Sequence, residues 1–374
     1  MKLLPKKLLR LPFVLVRRFY GKLLSILFAP NQLLSLTDDI EVKLHSISLD
    51  EASYTVAEVP HGRIFTNRID NISITVDRKL VPLVSWQYFD GDVMSDEENF
   101  FLLKKTLPLH IPHKVQGGVV SLLTGGGGNY NYYHWLFDSL PRLELINRVV
   151  AGKVKIKYYV PENTHEFQKE TLAMLGIEAE SVISSKDFPY LSADYCFASS
   201  HPNNNADQVP SWVLNFLQKT FLKHTSNTTF SPFVYIERGD SVNARRLLNE
   251  SEFYHALKPL GFQSYRLADL SVKDQITLFA NARMIVGVHG AGFANLAFAA
   301  KETVIYELFA KSYVPLMYRS ISAQLQFNYQ SICCEDFEKD VVPQRACFKL
   351  SSSEIEQIKK HAEQVAKNTS ELAH

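Results

Sequence analysis

"RMIVGVHGAGFANLAFAAKETVIYELF" (residues 283–309) is the stretch that decides the fold of this 374-residue chain. It opens with an apolar run, turns at His289-Gly290-Ala291-Gly292, continues as an apolar helical stretch and closes with a second apolar run. Apolar runs of this length that are separated by one helix are typical of neighbouring buried parallel strands. The stretch therefore predicts a strand–turn–helix–strand unit, from which α/β proteins are built.

The same alternation of strands and helices extends along most of the chain. Residues 31–115 differ, because short alternating runs between polar turns predict mostly β-strands there. Further strands are predicted at "GGVVSLLT" (117–124), "VKIKYYVP" (154–161), "ADYCFAS" (193–199), "PFVYIER" (232–238) and "QSYRLADL" (263–270). We therefore predict an α/β protein with two Rossmann-like domains facing a central cleft.

Changes in composition suggest the domain boundaries. The polar stretch "TSNTTFSP" (225–232) reads as a linker, so the first domain is predicted over 31–225 and the second over 226–350. Residues 351–374 predict an amphipathic, well-solvated helix.

Composition and charge exclude several classes of protein. The net charge of +1 gives no electrostatic reason to expect a nucleic-acid partner. The four cysteines form no CxxC pair, which argues against a disulfide scaffold and against a structural zinc site. A reducing compartment fits this cysteine usage.

Residues 1–30 differ from the rest of the chain. They carry seven basic residues and no acidic one, interleaved with Leu, Phe and Val. The basic residues interrupt every apolar run, so neither a transmembrane span nor a signal peptide is predicted. A basic and apolar segment of this kind predicts a surface that lies on anionic lipid. The alternative is a helix whose leucines dock on the protein's own body.

The stretch "TGGGGNYNYYHWLFDSLPRL" (124–143) contains the first candidate site. At 100° per residue, a helix over 131–142 places four polar residues on one stripe and its leucines on the opposite side. The stripe consists of Asn131, His134, Asp138 and Arg142, with Pro141 expected to bend its end. A His and an Asp one turn apart can handle a proton, whereas a salt-bridge network or a satisfied buried histidine is the alternative.

The glycine-rich turn after residue 288 is the second candidate site. Free amides and the positive end of a helix suit an anionic phosphate, although the glycines could equally serve packing. The third candidate is the segment with Arg238, Arg245 and Arg246, whose forked guanidinium groups suit a diphosphate unless they are simply solvated. Glu307, at the end of "TVIYELF", could accept hydrogen bonds from ribose hydroxyls.

The sequence Asp90-Gly91-Asp92 is a literal DxD, the pattern that holds a metal ion in one class of sugar transferases. It lies in a turn-like acidic stretch, where Asp-Gly is a common pair. We therefore predict no metal site there. The pair at 134 and 138 suggests no further ligands that would complete a metal site.

Three segments, in this order, together resemble glycosyltransferase family 61. They are "NYYHWLFDSLPRL" (131–143), the arginine segment leading into "LLNESEF" (247–253), and "VGVHGAGFANLAFAAKETVIYEL" (286–308). The resemblance covers roughly residues 115–310. It implies a GT-B architecture and an inverting transfer from a nucleotide sugar, with a UDP-sugar expected and no obligatory metal.

The resemblance gives the candidate residues their roles. Asp138 is the expected base, with His134 as a second choice or as its orienting partner. The expected donor-binding residues are Arg238, Arg245, Arg246, His289, Gly290, Ala291, Gly292, Asn295 and Glu307. The residues expected on the acceptor side, or in its glycine loop, are Gly127, Gly128, Asn131 and Arg142.

The expected function is transfer of a sugar to a glycan or lipid-linked acceptor in capsule, lipopolysaccharide or exopolysaccharide synthesis. Eukaryotic members of the family carry a membrane anchor or a signal, and this sequence shows neither. We therefore expect a bacterial-type, cytoplasmic enzyme that is peripherally associated with the inner face of the cytoplasmic membrane. One alternative is a catalytically inactive nucleotide- or glycan-binding protein on the same scaffold. A nicotinamide-dependent enzyme is disfavoured because GxGxxG is missing.

Overall fold

The computed structural model forms a mixed α/β protein, which confirms the predicted class. It describes residues 11–35, 41–66, 71–89, 92–93, 111–124, 130–150, 152, 154–203, 207–239, 245–338 and 341–371. The chain divides into two compact units. Unit 1 consists of the residues up to 169 together with 176–202, and unit 2 of 170–175 together with the residues from 203 onward.

Unit 1 contains one large sheet. Its strands are β1 (Gln32–Leu33), β2 (Lys43–Leu49), β3 (Ala52–Pro60), β4 (Arg63–Thr66), β5 (Asn71–Val76), β6 (Lys79–Leu80), β7 (Trp86–Phe89), β8 (Asp92–Val93), β9 (His113–Ser121), β10 (Ile156–Val160), β11 (Val182–Ser184) and β12 (Tyr190–Ser199). The helices are α1 (Leu11–Phe28), α2 (Tyr132–His134), which continues as a π-helical turn (Trp135–Ser139), α3 (Arg142–Val150) and α4 (Glu166–Met174), which the two units share.

The sheet of unit 1 has a parallel part and a mainly antiparallel part, in which β1 and β6 are a parallel pair. The main strand order is β1-β6-β5-β4-β12-β9-β10-β11. Strands β12, β9, β10 and β11 are parallel, as expected where helical segments connect the strands. Strand β12 also pairs antiparallel with β3 and β4, so the β-rich segment predicted over 31–115 extends the same sheet.

Unit 2 contains a five-stranded parallel sheet. Its strands are β13 (Phe233–Glu237), β14 (Gln263–Arg266), β15 (Met284–Val288), β16 (Val304–Ala310) and β17 (Asn328–Cys334). The helices are α5 (Ser211–Phe221), α6 (Glu250–Leu257), α7 (Val272–Ala280), a 3₁₀ helix (Ala291–Phe298), α8 (Met317–Leu325) and α9 (Ser352–Glu371).

The strand order in unit 2 is β14-β13-β15-β16-β17, with every neighbouring pair parallel. This is the 2-1-3-4-5 order of one common doubly wound sheet. Alternate residues of β13, β15, β16 and β17 enter a core with α6 and α9, as Met284, Val286 and Val288 do. The chain order reverses between β13 and β15, and ligands of such sheets bind beyond the carboxyl ends of those two strands.

The structure places the division between the units earlier than the predicted boundary at 225/226. Helix α5 belongs to unit 2, where Gln218 Nε2 donates a hydrogen bond to the Ala297 carbonyl at 3.0 Å. The Phe221 ring packs edge-on against Phe298, with ring centroids 6.1 Å apart. The polar stretch after α5 is therefore a loop within unit 2 and not a linker between domains. The facing cleft remains a prediction.

The helix at the carboxyl end of the chain differs in detail from the prediction, and the helix near the amino end is continuous. Helix α9 is amphipathic, but its Ile355, Ile358 and Ala362 are buried in the unit 2 core, so it is part of that unit. Helix α1 runs unbroken from Leu11 because Pro12 lies in its first turn, where a proline costs no intrahelical hydrogen bond. In the described part of the chain, we find no helix with the length and apolar character needed to cross a membrane.

Candidate active site

The first group of predicted residues lies on the short helix that follows β9 in unit 1. Asn131 caps α2, because its Oδ1 accepts a hydrogen bond from the Tyr133 amide at 2.9 Å. A π-helical turn follows, in which the Leu140 amide donates to the Trp135 carbonyl at 3.1 Å. Turns of this kind are frequent at functional sites. The helical segment then breaks before Pro141, where a bend was predicted.

His134 and Asp138 form the hydrogen bond that their spacing predicts. The distance from His134 Nδ1 to Asp138 Oδ2 is 2.6 Å. Asp138 is only 4% exposed, whereas the side chain of His134 is 39% exposed. The buried member of the pair is therefore the carboxylate, and the reachable member is the imidazole.

The electrostatics of this pair favour an ionised carboxylate. Burial raises the pKa of Asp138, but nearby His201, His134 and Arg142 outweigh burial and lower that pKa overall. An ionised carboxylate only accepts hydrogen bonds, so Nδ1 of His134 is the donor. On a neutral ring, Nε2 of His134 then carries the lone pair that can take up a proton.

His201 is a second histidine beside Asp138, and the sequence pattern did not single it out. It lies just beyond β12, which is the parallel neighbour of β9. The carboxyl ends of parallel strands meet at one edge of a sheet, so the segments that follow β9 and β12 meet there. The His201 ring lies edge-on to Trp86, with ring centroids 6.1 Å apart. The sequence signal that could have identified His201 is its position directly after a predicted strand, as with the polar residues that follow β9.

Arg142 lies in unit 1, as predicted for the acceptor-side residues, but its side chain is buried there. Its Nε donates to the Asp138 carbonyl at 2.9 Å, and its Nη1 donates to the Ser199 carbonyl at 2.8 Å. The guanidinium carbon also lies 4.5 Å from the centroid of the Trp86 ring. These contacts give Arg142 a structural role, which is to tie the His134–Asp138 segment to the end of β12.

The other acceptor-side predictions have mixed outcomes. Gly127 and Gly128 lie outside the described residues. Asn131 is half-buried, and its side-chain oxygen is used as the helix cap. Asp90 and Gly91 of the DxD sequence are also outside the described residues.

The predicted donor-binding residues lie at the carboxyl edge of the unit 2 sheet. Arg238 follows β13, and the segment His289–Gly292 follows β15, so both lie where the strand order reverses. Arg238 Nη1 donates a hydrogen bond to the His289 carbonyl. Gly290 permits this approach, because a Cβ at that position would collide with the Arg238 guanidinium. The amides of Gly290–Gly292 precede the first hydrogen bond of the 3₁₀ helix, which Phe293 N donates to Gly290 O at 3.1 Å.

Arg245 is the second guanidinium of this group. It is only 7% exposed, and its Nε and Nη1 are buried without a hydrogen-bond partner among the residues that the structure describes. Its guanidinium carbon lies 4.6 Å from the centroid of the Tyr313 ring. Burial, together with the charge of Arg245, lowers the pKa of Arg238 to about 10. A buried guanidinium and a half-buried one that repel each other are the arrangement expected of an anion-binding site.

Arg246, by contrast, is exposed, and its backbone carbonyl accepts a hydrogen bond from the Phe348 amide at 3.1 Å. Of the two arginines predicted to assist Arg238, Arg245 is therefore the buried one. Arg246 is a solvated residue that serves as a natural control for its neighbour.

Glu307 does not have the predicted role of holding a ribose. It is fully buried, and both carboxylate oxygens are occupied. Oε1 lies 2.5 Å from His289 Nδ1, and Oε2 accepts a hydrogen bond from the Tyr329 hydroxyl at 2.7 Å. Burial lowers the pKa of His289, Glu307 raises it, and the two arginines lower it further, so the net shift is downward. Glu307 therefore fixes the orientation of His289 at the edge of the sheet.

Replacing Glu307 by Gln tests this correction. We expect the free energy of unfolding to fall by about 2–3 kcal/mol, because the amide cannot accept from both Tyr329 and His289. Urea unfolding measures this loss, and a titration with uridine measures nucleoside affinity in the same variant. A Glu307→Gln protein that keeps its stability but loses uridine affinity would restore the ribose assignment.

Two further donor-side predictions prove to be packing residues. Asn295 is fully buried, and its Nδ2 donates to Gln275 Oε1 at 2.9 Å and to the Gly292 carbonyl at 3.1 Å. A Cβ at Gly292 would lie 2.8 Å from Leu267 Cδ1, so this glycine is required by packing. The contacts of Asn295 and Gly292 therefore fix the turn that contains Gly290 and Ala291.

The sequence has relatives of known activity. Residues 132–306 match the family model described as Glycosyltransferase 61, over nearly the residues that carry the resemblance. The EGF domain-specific O-linked N-acetylglucosamine transferases of Gallus gallus and Bos taurus are each 30% identical over 74 residues. That segment is 18% of this chain and only 14% of the length of each relative.

Two solved structures show a distant likeness. One is the bacterial iron-containing dodecameric glycosyltransferase TibC from enterotoxigenic E. coli H10407, with 10% identity and a TM-score of 0.26 over 77% of this chain and 81% of that one. The other is the dodecameric iron-containing heptosyltransferase TibC with ADP-D-beta-D-heptose, with 11% identity and a TM-score of 0.27 over 86% of this chain and 83% of that one. At these scores the likeness carries no weight for fold or function. The sequence matches together show a similarity to glycosyltransferase family 61 that lies in residues 132–306 of this chain.

Proposed function

We propose that this protein is an inverting glycosyltransferase that moves a sugar from a nucleotide-sugar donor to a glycan or lipid-linked acceptor. The observation that carries the proposal is the pair Arg238 and Arg245 at the point where the strand order of unit 2 reverses. Family 61 similarity over residues 132–306 supports the reaction class. A GT-B arrangement of the two units is part of this proposal.

Unit 2 is proposed to bind the donor through its diphosphate. Arg238 and Arg245 offer two planar forks, which match phosphate oxygens better than an ammonium group does. A bound diphosphate satisfies the buried donors of Arg245 and cancels the repulsion between the two cations. The amides of Gly290–Gly292 add neutral donors on the same strand end. During transfer the same groups stabilise the charge on the departing nucleotide diphosphate.

Unit 1 is proposed to activate the acceptor through His134. In an inverting transfer, the acceptor oxygen attacks the anomeric carbon as the bond from that carbon to the diphosphate breaks, and the hydroxyl proton passes to a base. His134 Nε2 fits this role, because Nδ1 is held by Asp138 and the ring is partly exposed. Asp138 then stabilises the imidazolium that forms. This exchanges the roles first assigned from the sequence, because Asp138 is buried and already bonded.

The acceptor is proposed to be a capsule, lipopolysaccharide or exopolysaccharide intermediate at the cytoplasmic face of a membrane. The basic and apolar composition of residues 1–30 supports this setting, since intermediates of this kind are often lipid-linked. The donor is proposed to be a UDP-sugar.

A thermal-shift screen with a panel of nucleotide sugars tests the proposal. A donor present at a hundred times its Kd is expected to stabilise the folded protein by about 2.7 kcal/mol, which shifts the melting temperature by several degrees. Each stabilising donor is then assayed for release of its nucleotide, with and without glycan acceptors. Stabilisation without any turnover would favour the inactive binding protein. An unchanged melting temperature with every nucleotide sugar would contradict both the transferase and the inactive binding protein.

A further inference from the structure

Helix α1 is fixed to unit 1 along one side. Leu24 is buried, and the Phe28 ring lies edge-on to Tyr190, with ring centroids 6.1 Å apart. The guanidinium carbon of Arg63 lies 5.2 Å from the Phe28 ring centroid, and Arg78 Nε donates to the Ala29 carbonyl at 3.2 Å. These contacts set which side of α1 faces the sheet and which side faces away.

The side that faces away is an apolar stripe. Its six members are each 44–73% exposed, although all are large hydrophobic residues. They are Val16, Phe19, Tyr20, Leu23, Ile26 and Leu27. At 100° per residue, these positions fall within about 120° of the helix circumference. Scattered apolar residues on a surface are ordinary, but a stripe of six large apolar residues between Val16 and Leu27 marks a binding surface.

The positive charge around this stripe identifies the partner that contacts it. Residues 1–30 carry seven Lys or Arg and no Asp or Glu, and exposed Lys22 borders the stripe at its Ile26 side. Pairing of two copies through α1 would bring these like charges together and is opposed by their repulsion. An anionic bilayer offers the opposite charge together with an apolar interior, and long basic side chains reach its headgroups while apolar ones insert.

We infer that α1 lies flat on an anionic bilayer, with the stripe inserted into the headgroup and acyl boundary. The contact involves one face of α1 between Val16 and Leu27, where the sequence pattern could only indicate the whole of residues 1–30. The inference extends the membrane setting proposed above, but it does not depend on glycosyl transfer, because it needs neither donor nor acceptor.

Co-sedimentation of the full chain with vesicles tests the inference. The vesicles contain phosphatidylcholine and phosphatidylglycerol in equal amounts, and phosphatidylcholine alone is the neutral comparison. We expect binding to the anionic vesicles that weakens with added salt. Phe19→Gln, Leu23→Gln and Ile26→Gln are combined in one variant, which is expected to bind at least roughly tenfold more weakly. These side chains are exposed, so the melting temperature should not change.

A matched variant controls for a general loss of surface apolarity. Leu316→Gln, Phe337→Gln and Val342→Gln change three exposed apolar residues of unit 2, and binding should stay at the level of the unchanged protein. Equal loss in both variants, or no binding of the unchanged protein to anionic vesicles, would overturn the inference. So would a dimer, measured by light scattering, that only the α1 variant dissociates, because the stripe would then be a subunit interface.

Discussion

The substitution Arg245→Met is expected to abolish nucleotide-sugar binding while it raises the thermal stability of the protein. Arg245 is buried beside Arg238, and two of its N–H donors have no hydrogen-bond partner among the described residues. The unsatisfied charge therefore destabilises the folded state. A methionine of similar length removes that cost, and we expect the free energy of unfolding to rise by about 1 kcal/mol. The melting temperature should increase by about 2–4 °C.

The same substitution removes one of the two proposed diphosphate ligands. Loss of charge-assisted hydrogen bonds to a phosphate should weaken donor binding by roughly 10- to 100-fold, as measured by calorimetric titration. Arg246→Met is the matched control, because Arg246 is adjacent in sequence but exposed, and it should change neither property. An Arg245→Met protein that is less stable yet binds donor normally would make Arg245 a structural residue and remove the proposed donor site.

Replacing Asp138 by Asn, or His134 by Ala, should reduce the rate of transfer without weakening donor binding. General-base catalysis contributes roughly 10²- to 10⁴-fold, and we expect kcat to fall by that factor in each variant. The amide of Asn cannot accept the Nδ1 proton as a carboxylate does, so it no longer holds the active tautomer of His134. Because the two residues act as one unit, the double variant should lose little more than either single one.

A control acid lies on the next helix of the chain. Glu144 is partly exposed and pairs with Arg148 at 2.7 Å, and Glu144→Gln should leave kcat unchanged.

The lowered pKa of Asp138 also fixes the sign of a pH effect on stability. A depressed folded-state pKa contributes stability above the unfolded-state pKa, and this stability disappears as the pH falls through the folded value. Asp138→Asn should lack that acid-dependent step. A fully active Asp138→Asn enzyme would reject the dyad.

The sequence predicted those parts of the fold and site that depend on local patterns. The apolar runs around His289 predicted β15, the turn and β16, because buried parallel strands are recognisable from composition alone. The spacing of His134 and Asp138 predicted their hydrogen bond, because residues four apart meet on any helix. Arg238 was placed at a strand end by the same reasoning.

Contacts between distant segments could not be predicted in this way. Tyr329 lies on β17, and only the pairing of β16 with β17 brings its hydroxyl to Glu307, which occupies the carboxylate that was assigned to a ribose. Arg142 lies on the predicted stripe, but the end of β12 supplies the acceptor that holds it inside unit 1. Helix α5 similarly joins unit 2 through contacts with the distant 3₁₀ helix. In each case, strand order or tertiary packing determines the contact, and neither can be predicted from local periodicity.

The central claim is that Arg238 and Arg245 form a diphosphate site on unit 2, and titration with inorganic pyrophosphate tests it most directly. Pyrophosphate carries the two linked phosphates of the donor without its base or sugar, so the result does not depend on which nucleotide is natural. We predict that it binds the unchanged protein and the Arg246→Met variant with equal affinity, and binds Arg245→Met roughly 10- to 100-fold more weakly. Equal affinity in all three proteins, or no binding to the unchanged one, would contradict the claim.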